Sequence, residues 1–326
     1  MLRLPPFRYV RPESVAEAAK VLAEHPGESM VLAGGTDLLP NLKRRQFDAK
    51  VLVAVGHLAE LQVFSSNGEM SIGGGMKLSD VAALAETGES AAGLSEAIRK
   101  IANPQIQRQG TIGGNLCVDT RCNYYNQNYE WRKSINFCMK KDGEICWVAP
   151  SSPRCWAVSS SDTAPVLMVL DAECTLVGPR RVRRVPVKSL YHLDGIDFLK
   201  KERDEILTEI HVPKSNGMRA TYLKLRRRDS IDFPILGVAA AIETAKDGTV
   251  EKARIVLTAV ESAPVQAEKA EALLVGKKLT EEWIDEAAAI AYRPAKPLDN
   301  TDLTHAYRKK MARVFVARAL RELSRG

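Results

Sequence analysis

Thiols are the side chains here whose pattern packing alone does not explain. Of six cysteines, Cys117, Cys122, Cys138, Cys146, Cys155 and Cys174, five lie between positions 117 and 155. Residues 122–156 hold four of them at the spacing C-x15-C-x7-C-x8-C, with three of the four tryptophans and three tyrosines. Asn123, Asn126, Asn128, Gly143, Pro150 and Pro153 punctuate the segment as loop and turn, and it has no sustained helical or strand period. A loop this long inside a compact domain needs a function or a tether. Four thiolates converging on one inorganic centre would supply the tether. Structural zinc sites bring their ligands in paired C-x2-4-C knuckles, which this segment lacks. A [4Fe–4S] cube takes a thiolate at each of four corners, and wide spacing can supply them. Iron–sulfur is the favoured reading over zinc and over metal-free packing, with Cys122, Cys138, Cys146 and Cys155 as ligands. Cys117 is an alternative ligand, and Cys174, in DAECTLVG, reads as a small buried strand residue.

Two glycine turns are the second chemical feature. VLAGGTDLLP spans residues 31–40 and TIGGNL spans residues 111–116, each after a strand. Glycine lets a backbone approach a ligand closely, and successive amide N–H groups form an anion-binding concavity. Thr36 and Thr111 add hydroxyl donors. Neither turn matches the P-loop or G-x-G-x-x-G pattern, so ATPase and Rossmann dehydrogenase readings lack support. A pyrophosphate-bearing cofactor held from both sides is the natural ligand of the pair.

The elements that must position these groups follow from pattern. Residues 14–25 form a helix with Ser14 as N-cap, residues 30–33 and 51–55 are buried strands, and residues 57–61 are a short helix. From about residue 62 come a strand and glycine turn (MSIGGG), a helix capped by Ser79, and a helix over 93–102 stopped by Asn103-Pro104. Residues 159–177 read as a polar turn, Ser159 to Asp162, then a helical turn and a strand, and 205–213 as an alternating strand. After Pro213 come strands over 220–225, 235–244 and 250–259, the last two joined at Asp247-Gly248. Helices follow over 265–274, 281–292 and 304–323. The fold class is α+β, in three parts. A small α/β unit covers 1–61. A larger α+β unit covers 62–213 and carries the insertion 122–156. A three-stranded antiparallel sheet with helices covers 214–326.

Composition bounds the rest. The 326 residues are 45% hydrophobic and 27% charged, as in a globular protein. No apolar run reaches the roughly 18 residues a membrane helix needs, and the N-terminus lacks a signal-peptide core, so a cytoplasmic protein is expected. The net charge is +7, concentrated in Lys43-Arg44-Arg45, Arg180 to Arg184 and Arg226-Arg227-Arg228, which read as solvated or partner-contacting surface. No nucleic-acid-binding signature is present.

AGGTDL at 33–38, IANPQIQRQGTIGGNLC at 101–117, SDTAPVLMVLDA at 161–172 and the three-part layout together resemble the FAD-binding subunits of molybdenum hydroxylases, which include xanthine and carbon monoxide dehydrogenases. The segment 122–156 interrupts that pattern. A cysteine-bearing insertion at this point is similar to that of 4-hydroxybenzoyl-CoA reductase beta subunits, which carry an extra [4Fe–4S] cluster there. The resemblance implies that Ser29, Met30, Val31, Leu32, Ala33, Gly34, Gly35 and Thr36 wrap the FAD pyrophosphate. Gly110, Thr111, Gly113 and Asn115 would contact the flavin side and phosphates, with Ile101 near the ring and Leu207 against the cofactor. Asp162 would accept from cofactor hydroxyls, and Lys224 would place a cation near the isoalloxazine. Plainer roles stand beside these: an N-cap for Asp162, a surface strand lysine for Lys224, core packing for Ile101 and Leu207. The implied partners are a molybdenum-cofactor subunit, a [2Fe–2S] subunit and an external electron carrier such as a ferredoxin, with no nucleic acid and no membrane. The rival readings are a stand-alone flavin reductase with a nicotinamide donor and a zinc-stabilised interaction module.

Overall fold

The computed structural model describes residues 2–85, 91–214 and 217–325. The chain opens with β1 (Arg8–Val10), α1 (Val15–Glu24), β2 (Ser29–Leu32), α2 (Leu38–Lys43) and β3 (Val51–Ala54). The strands pair in parallel in the order β1-β3-β2. Ser14 starts α1 by accepting from the Glu17 amide at 3.1 Å, and the buried face Val15, Ala18, Ala19, Leu22 packs on Val51 and Val53. The glycine turn 33–36 therefore leaves the carboxyl end of β2, where α/β units place their ligands.

The second unit is built on a five-stranded antiparallel sheet in the order β4-β5-β8-β6-β7. These are β4 (Phe64–Ser65), β5 (Met70–Gly73), β6 (Glu173–Val177), β7 (Val182–Pro186) and β8 (Ile206–Val212). Between β5 and β6 run α3 (Leu78–Ala85), α4 (Ala92–Arg99), α5 (Pro104–Gln107), α6 (Ile112–Leu116), α7 (Tyr129–Ser134) and α8 (Thr163–Val169). Ser79 is not the cap of α3; the helix begins at Leu78, and the Ser79 hydroxyl donates to Asp80 Oδ1 at 3.1 Å. The basic run near 182 is an edge strand, with Arg183 forked onto Glu205 at 2.7 Å through both Nε and Nη2. Opposite charge satisfied within the sheet explains why a run of arginines tolerates strand geometry.

The third unit holds β9 (Arg219–Leu225), β10 (Leu236–Thr244), β11 (Val250–Thr258) and β12 (Val265–Gln266), then α9 (Glu268–Leu274), α10 (Glu281–Ala291) and α11 (His305–Ser324). The antiparallel sheet order is β12-β11-β10-β9. It has four strands where the sequence pattern showed three, because Val265–Gln266 pairs with β11 before the helix begins. Alternate residues of β10 enter two different cores. Val238, Ala240 and Ile242 pack under α9–α11, while Ala239 and Ala241 join the core that contains α4 and α8. Burial on both faces is why β10 reads as a nearly unbroken apolar run.

The cysteine-bearing insertion leaves and rejoins this frame at one point. Arg121 and Val158 exchange two backbone hydrogen bonds, Arg121 N to Val158 O at 2.9 Å and the reverse at 2.7 Å. Contrary to the loop expected throughout, one helix forms inside it: α7, capped by Asn128, whose Oδ1 accepts from the Trp131 amide at 2.9 Å. The fully buried Arg132 of α7 donates to Arg44 O at 3.0 Å and Arg45 O at 2.8 Å, satisfying carbonyls at the end of α2. On the other side, Asn300 donates to Trp156 O at 2.6 Å and accepts from the Asn123 amide at 2.8 Å. Asn300 is itself held by Arg308 of α11, at 3.1 Å from Asn300 Oδ1, 2.7 Å from Leu298 O and 3.2 Å from Ile235 O. No helix of the described residues is long and apolar enough to cross a membrane.

Arg308 thus joins the C-terminal helix to the strap that closes on the insertion. Its replacement by methionine strands several buried acceptors and is expected to cost about 3 kcal/mol. Urea unfolding reads the loss, and amide exchange at Asn123 should rise with it.

Candidate functional site: two adjoining cavities

A cavity of about 730 Å³ lies where the three units meet, within the size range of ligand sites. The two glycine turns form one wall by direct contact. A Cβ on Gly34 would overlap Gln109 O and stand 3.0 Å from Gly110 Cα. Gly35 has φ +70, a conformation that favours glycine. The second turn is held from behind: Gly113 N donates to Gly74 O at 2.9 Å, and a Cβ on Gly113 would lie 2.7 Å from that oxygen. Thr111 Oγ1 accepts from Gly114 N at 3.1 Å and so caps α6.

Of the residues singled out in the sequence, Met30, Val31, Ala33, Gly34, Gly35, Thr36, Ile101, Gly110, Thr111, Gly113, Asn115, Asp162 and Leu207 line this cavity. Ser29, Leu32 and Lys224 do not. Ser29 turns its hydroxyl to α1, donating to His25 O at 2.8 Å. Leu32 packs with Leu42 and Leu52. Lys224 is neither a surface lysine nor a cation presented to the cavity. It is buried, with Nζ 3.0 Å from Asp162 Oδ2 and 2.8 Å from Lys100 O.

Asp162 stands at the N-cap position of α8, but its side chain makes no capping hydrogen bond. That role falls to Ser161, whose Oγ accepts from the Ala164 amide at 3.0 Å. Asp162 Oδ1 accepts instead from the Tyr222 hydroxyl at 2.7 Å. Burial pushes its carboxyl up, against the Lys224 ammonium and Tyr222 hydroxyl that favour the charged form. Asn115 Oδ1 accepts from Ser161 at 2.8 Å and Thr163 at 2.7 Å, which ties α6 to the start of α8.

Several lining residues had no motif to announce them. Gly74 and Gly75 belong to the MSIGGG turn, whose glycines were visible but not connected to the other two turns. Asp37 pairs with Arg121, and the Arg121 guanidinium lies 4.4 Å from the Phe233 ring centroid. Burial pushes the Asp37 carboxyl up against that guanidinium. Phe233, Asn300 and Arg121 are far apart in sequence, so only the assembled units bring them together.

A second, small cavity lies inside the insertion. Cys122, Cys138, Cys146 and Cys155 all line it, with Tyr124, Tyr125, Met139, Trp147 and Val148. A Cβ on Gly195 would stand 2.7 Å from Cys155 Sγ, so a glycine gives that sulfur its room. Burial pushes the Cys122 thiol up to about 12 and the Cys155 thiol up to about 11. A bare cavity therefore keeps these groups protonated, and a cationic inorganic centre is what would make thiolates of them. Among the described residues, no three His, Cys, Asp or Glu side chains are grouped tightly enough for one metal ion. Cys122 lines both cavities, and Cys117 lines the larger one only.

The family profile described as the FAD binding domain in molybdopterin dehydrogenase matches residues 5–215, and the CO dehydrogenase flavoprotein C-terminal domain matches residues 220–323. The chain belongs to the FAD-binding subunit family of the molybdenum hydroxylases. Similar proteins include the carbon monoxide dehydrogenase medium chain of Afipia carboxidovorans, 30% identical over 96% of this chain and 95% of that one. The aldehyde oxidoreductase FAD-binding subunit of Escherichia coli is 30% identical over 82% of this chain and 86% of that one. The fold matches a solved carbon monoxide dehydrogenase chain from Hydrogenophaga pseudoflava with TM-score 0.80, 28% identity and coverage of 98% of this chain and 97% of that one.

The Gly34 contact is what shapes the glycine wall of the large cavity. Gly34→Ala forces the two turns apart. FAD affinity should fall at least about tenfold, or ~1.4 kcal/mol, read as flavin absorbance retained after gel filtration with the circular dichroism unchanged.

Proposed function

We propose that this chain is an electron-transfer subunit holding FAD in the large cavity and a [4Fe–4S] cluster in the small one, within a complex of the 4-hydroxybenzoyl-CoA reductase kind. The single observation that carries the reading is that four cysteines of one insertion share a cavity, one of whose cysteines also borders the FAD cavity. Bound FAD exchanges electrons in pairs or singly, and an iron–sulfur cluster exchanges them one at a time. The chain's own residues supply placement and insulation. Ala33 to Thr36 and Thr111 offer backbone N–H groups to the pyrophosphate, and Ile101 and Leu207 pack against the cofactor. Cys122, Cys138, Cys146 and Cys155 hold the cluster, and Tyr124, Tyr125, Met139 and Val148 keep water from it, which tunes its potential.

In this reading the substrate, an aromatic CoA thioester that loses a ring hydroxyl, sits on a molybdenum-cofactor subunit reached through a [2Fe–2S] subunit. An external one-electron carrier such as a ferredoxin meets the insertion, where Trp131, Ile145 and Trp147 are exposed. The similarity of the insertion to that of hydroxybenzoyl-CoA reductases supports this choice over the oxidising members of the family.

The isolated chain, purified without air, should contain about four irons and four acid-labile sulfides. Cys138→Ala should lose most of that iron while retaining FAD. A yellow, iron-free chain, or a Cys138→Ala variant with full iron content, would remove the cluster assignment.

A further inference from the structure

The wall between the two cavities contains a buried ion pair whose charges face opposite sides. Lys140 Nζ is 2.7 Å from Asp119 Oδ1, 2.6 Å from Thr120 Oγ1 and 2.5 Å from Gly195 O. The two side chains are 6% and 8% exposed. Asp119 lines the FAD cavity and not the thiol cavity, and Lys140 lines the thiol cavity and not the FAD cavity. The ammonium stands 4.8 Å from the centroid of the Tyr125 ring, itself part of the thiol cavity.

We propose that Asp119 and Lys140 form an oriented dipole that raises the reduction potential of a cluster in the thiol cavity relative to that of the flavin. The proposal rests on both cavities being occupied as inferred above. Reduction of a cluster by one electron adds one negative charge on the lysine side of the wall, where the nearer ammonium stabilises it. Reduction of the flavin adds electron density on the carboxylate side, where it is opposed. Because the pair is buried, salt does not screen it and the local dielectric is low. The pair therefore biases where an electron shared between the two sites resides.

The test is redox titration of the assembled, anaerobically purified complex, with electron paramagnetic resonance for the cluster and absorbance for the flavin. Lys140→Met should lower the cluster midpoint more than the flavin midpoint. Asp119→Asn should raise the flavin midpoint more than the cluster midpoint. Both single variants, and the neutral double variant, should thus lower the cluster midpoint relative to the flavin midpoint, while Lys140→Arg keeps the difference. A single variant should shift the sharing equilibrium about tenfold, equivalent to about 59 mV for one electron. An unchanged difference in variants with full iron and FAD would overturn the proposal. So would loss of the cluster from every variant including Lys140→Arg, since the pair would then only hold the wall together. An iron-free wild-type chain would refute the proposed function instead. In that protein Asp119→Asn must still raise the flavin midpoint, and a flavin midpoint that stays put overturns the dipole.

Discussion

The close approach of the Gly34 backbone to Gln109 and Gly110 is the constraint on which the site depends. It brings a turn from the parallel sheet against a turn from the second unit, some seventy-five residues later in the chain. No side chain fits between them, so two stretches of backbone border one space. The same economy recurs behind the second turn, where Gly113 rests on Gly74. Three glycine turns packed on one another leave little freedom for their amides to reorganise, and preorganised donors are what an anionic cofactor needs.

Much of this was legible in the sequence because local pattern and tertiary role agree. The AGGT and TIGG turns announce close backbone approach, and the periodic helices and alternating strands appear within three residues of where spacing puts them. The failures are equally physical. Ser29 and Leu32 sit within a stretch whose neighbours line the cavity, but the Ser29 hydroxyl is turned to His25 O and the Leu32 side chain packs with Leu42 and Leu52. A motif carried over as a continuous run cannot see where each side chain turns. Lys224 fails for a different reason: its charge is answered by Asp162 at 3.0 Å, a partner sixty-two positions away. Asp37, Arg121 and Phe233 were invisible because their relation exists only after three units assemble.

The insertion illustrates how an irregular segment can be added to an established frame. Its two ends are paired at Arg121 and Val158, so the surrounding chain feels a bridge rather than a gap. Closing a loop of this length costs entropy that grows only slowly with length. What an insertion needs beyond closed ends is internal order, and polar anchors provide part of it. Arg132 reaches the end of α2, Asn300 reaches Trp156 and Asn123, and Ser262 donates to Cys155 O at 3.2 Å. These contacts tie the segment to both the first and third units. Its own apolar cluster is small, built on Cys122, Tyr125, Cys138, Cys155 and Ala157.

The tripeptide Asp119-Thr120-Arg121 concentrates these relations. Arg121 turns to Asp37 of the first unit and Asp119 turns to Lys140 of the insertion, while Thr120 donates to Gly195 O at 2.6 Å. Buried ion pairs seldom stabilise a fold beyond what apolar residues would achieve, so their presence here needs another reason. They lie where three pieces of chain and two cavities meet, and hydrophobic contacts there would be less selective about relative orientation. Paired charges accept only one arrangement, since breaking either pair leaves a charge stranded in low dielectric. The wall thus fixes the distance between the cavities and gives each of them a defined electrostatic face.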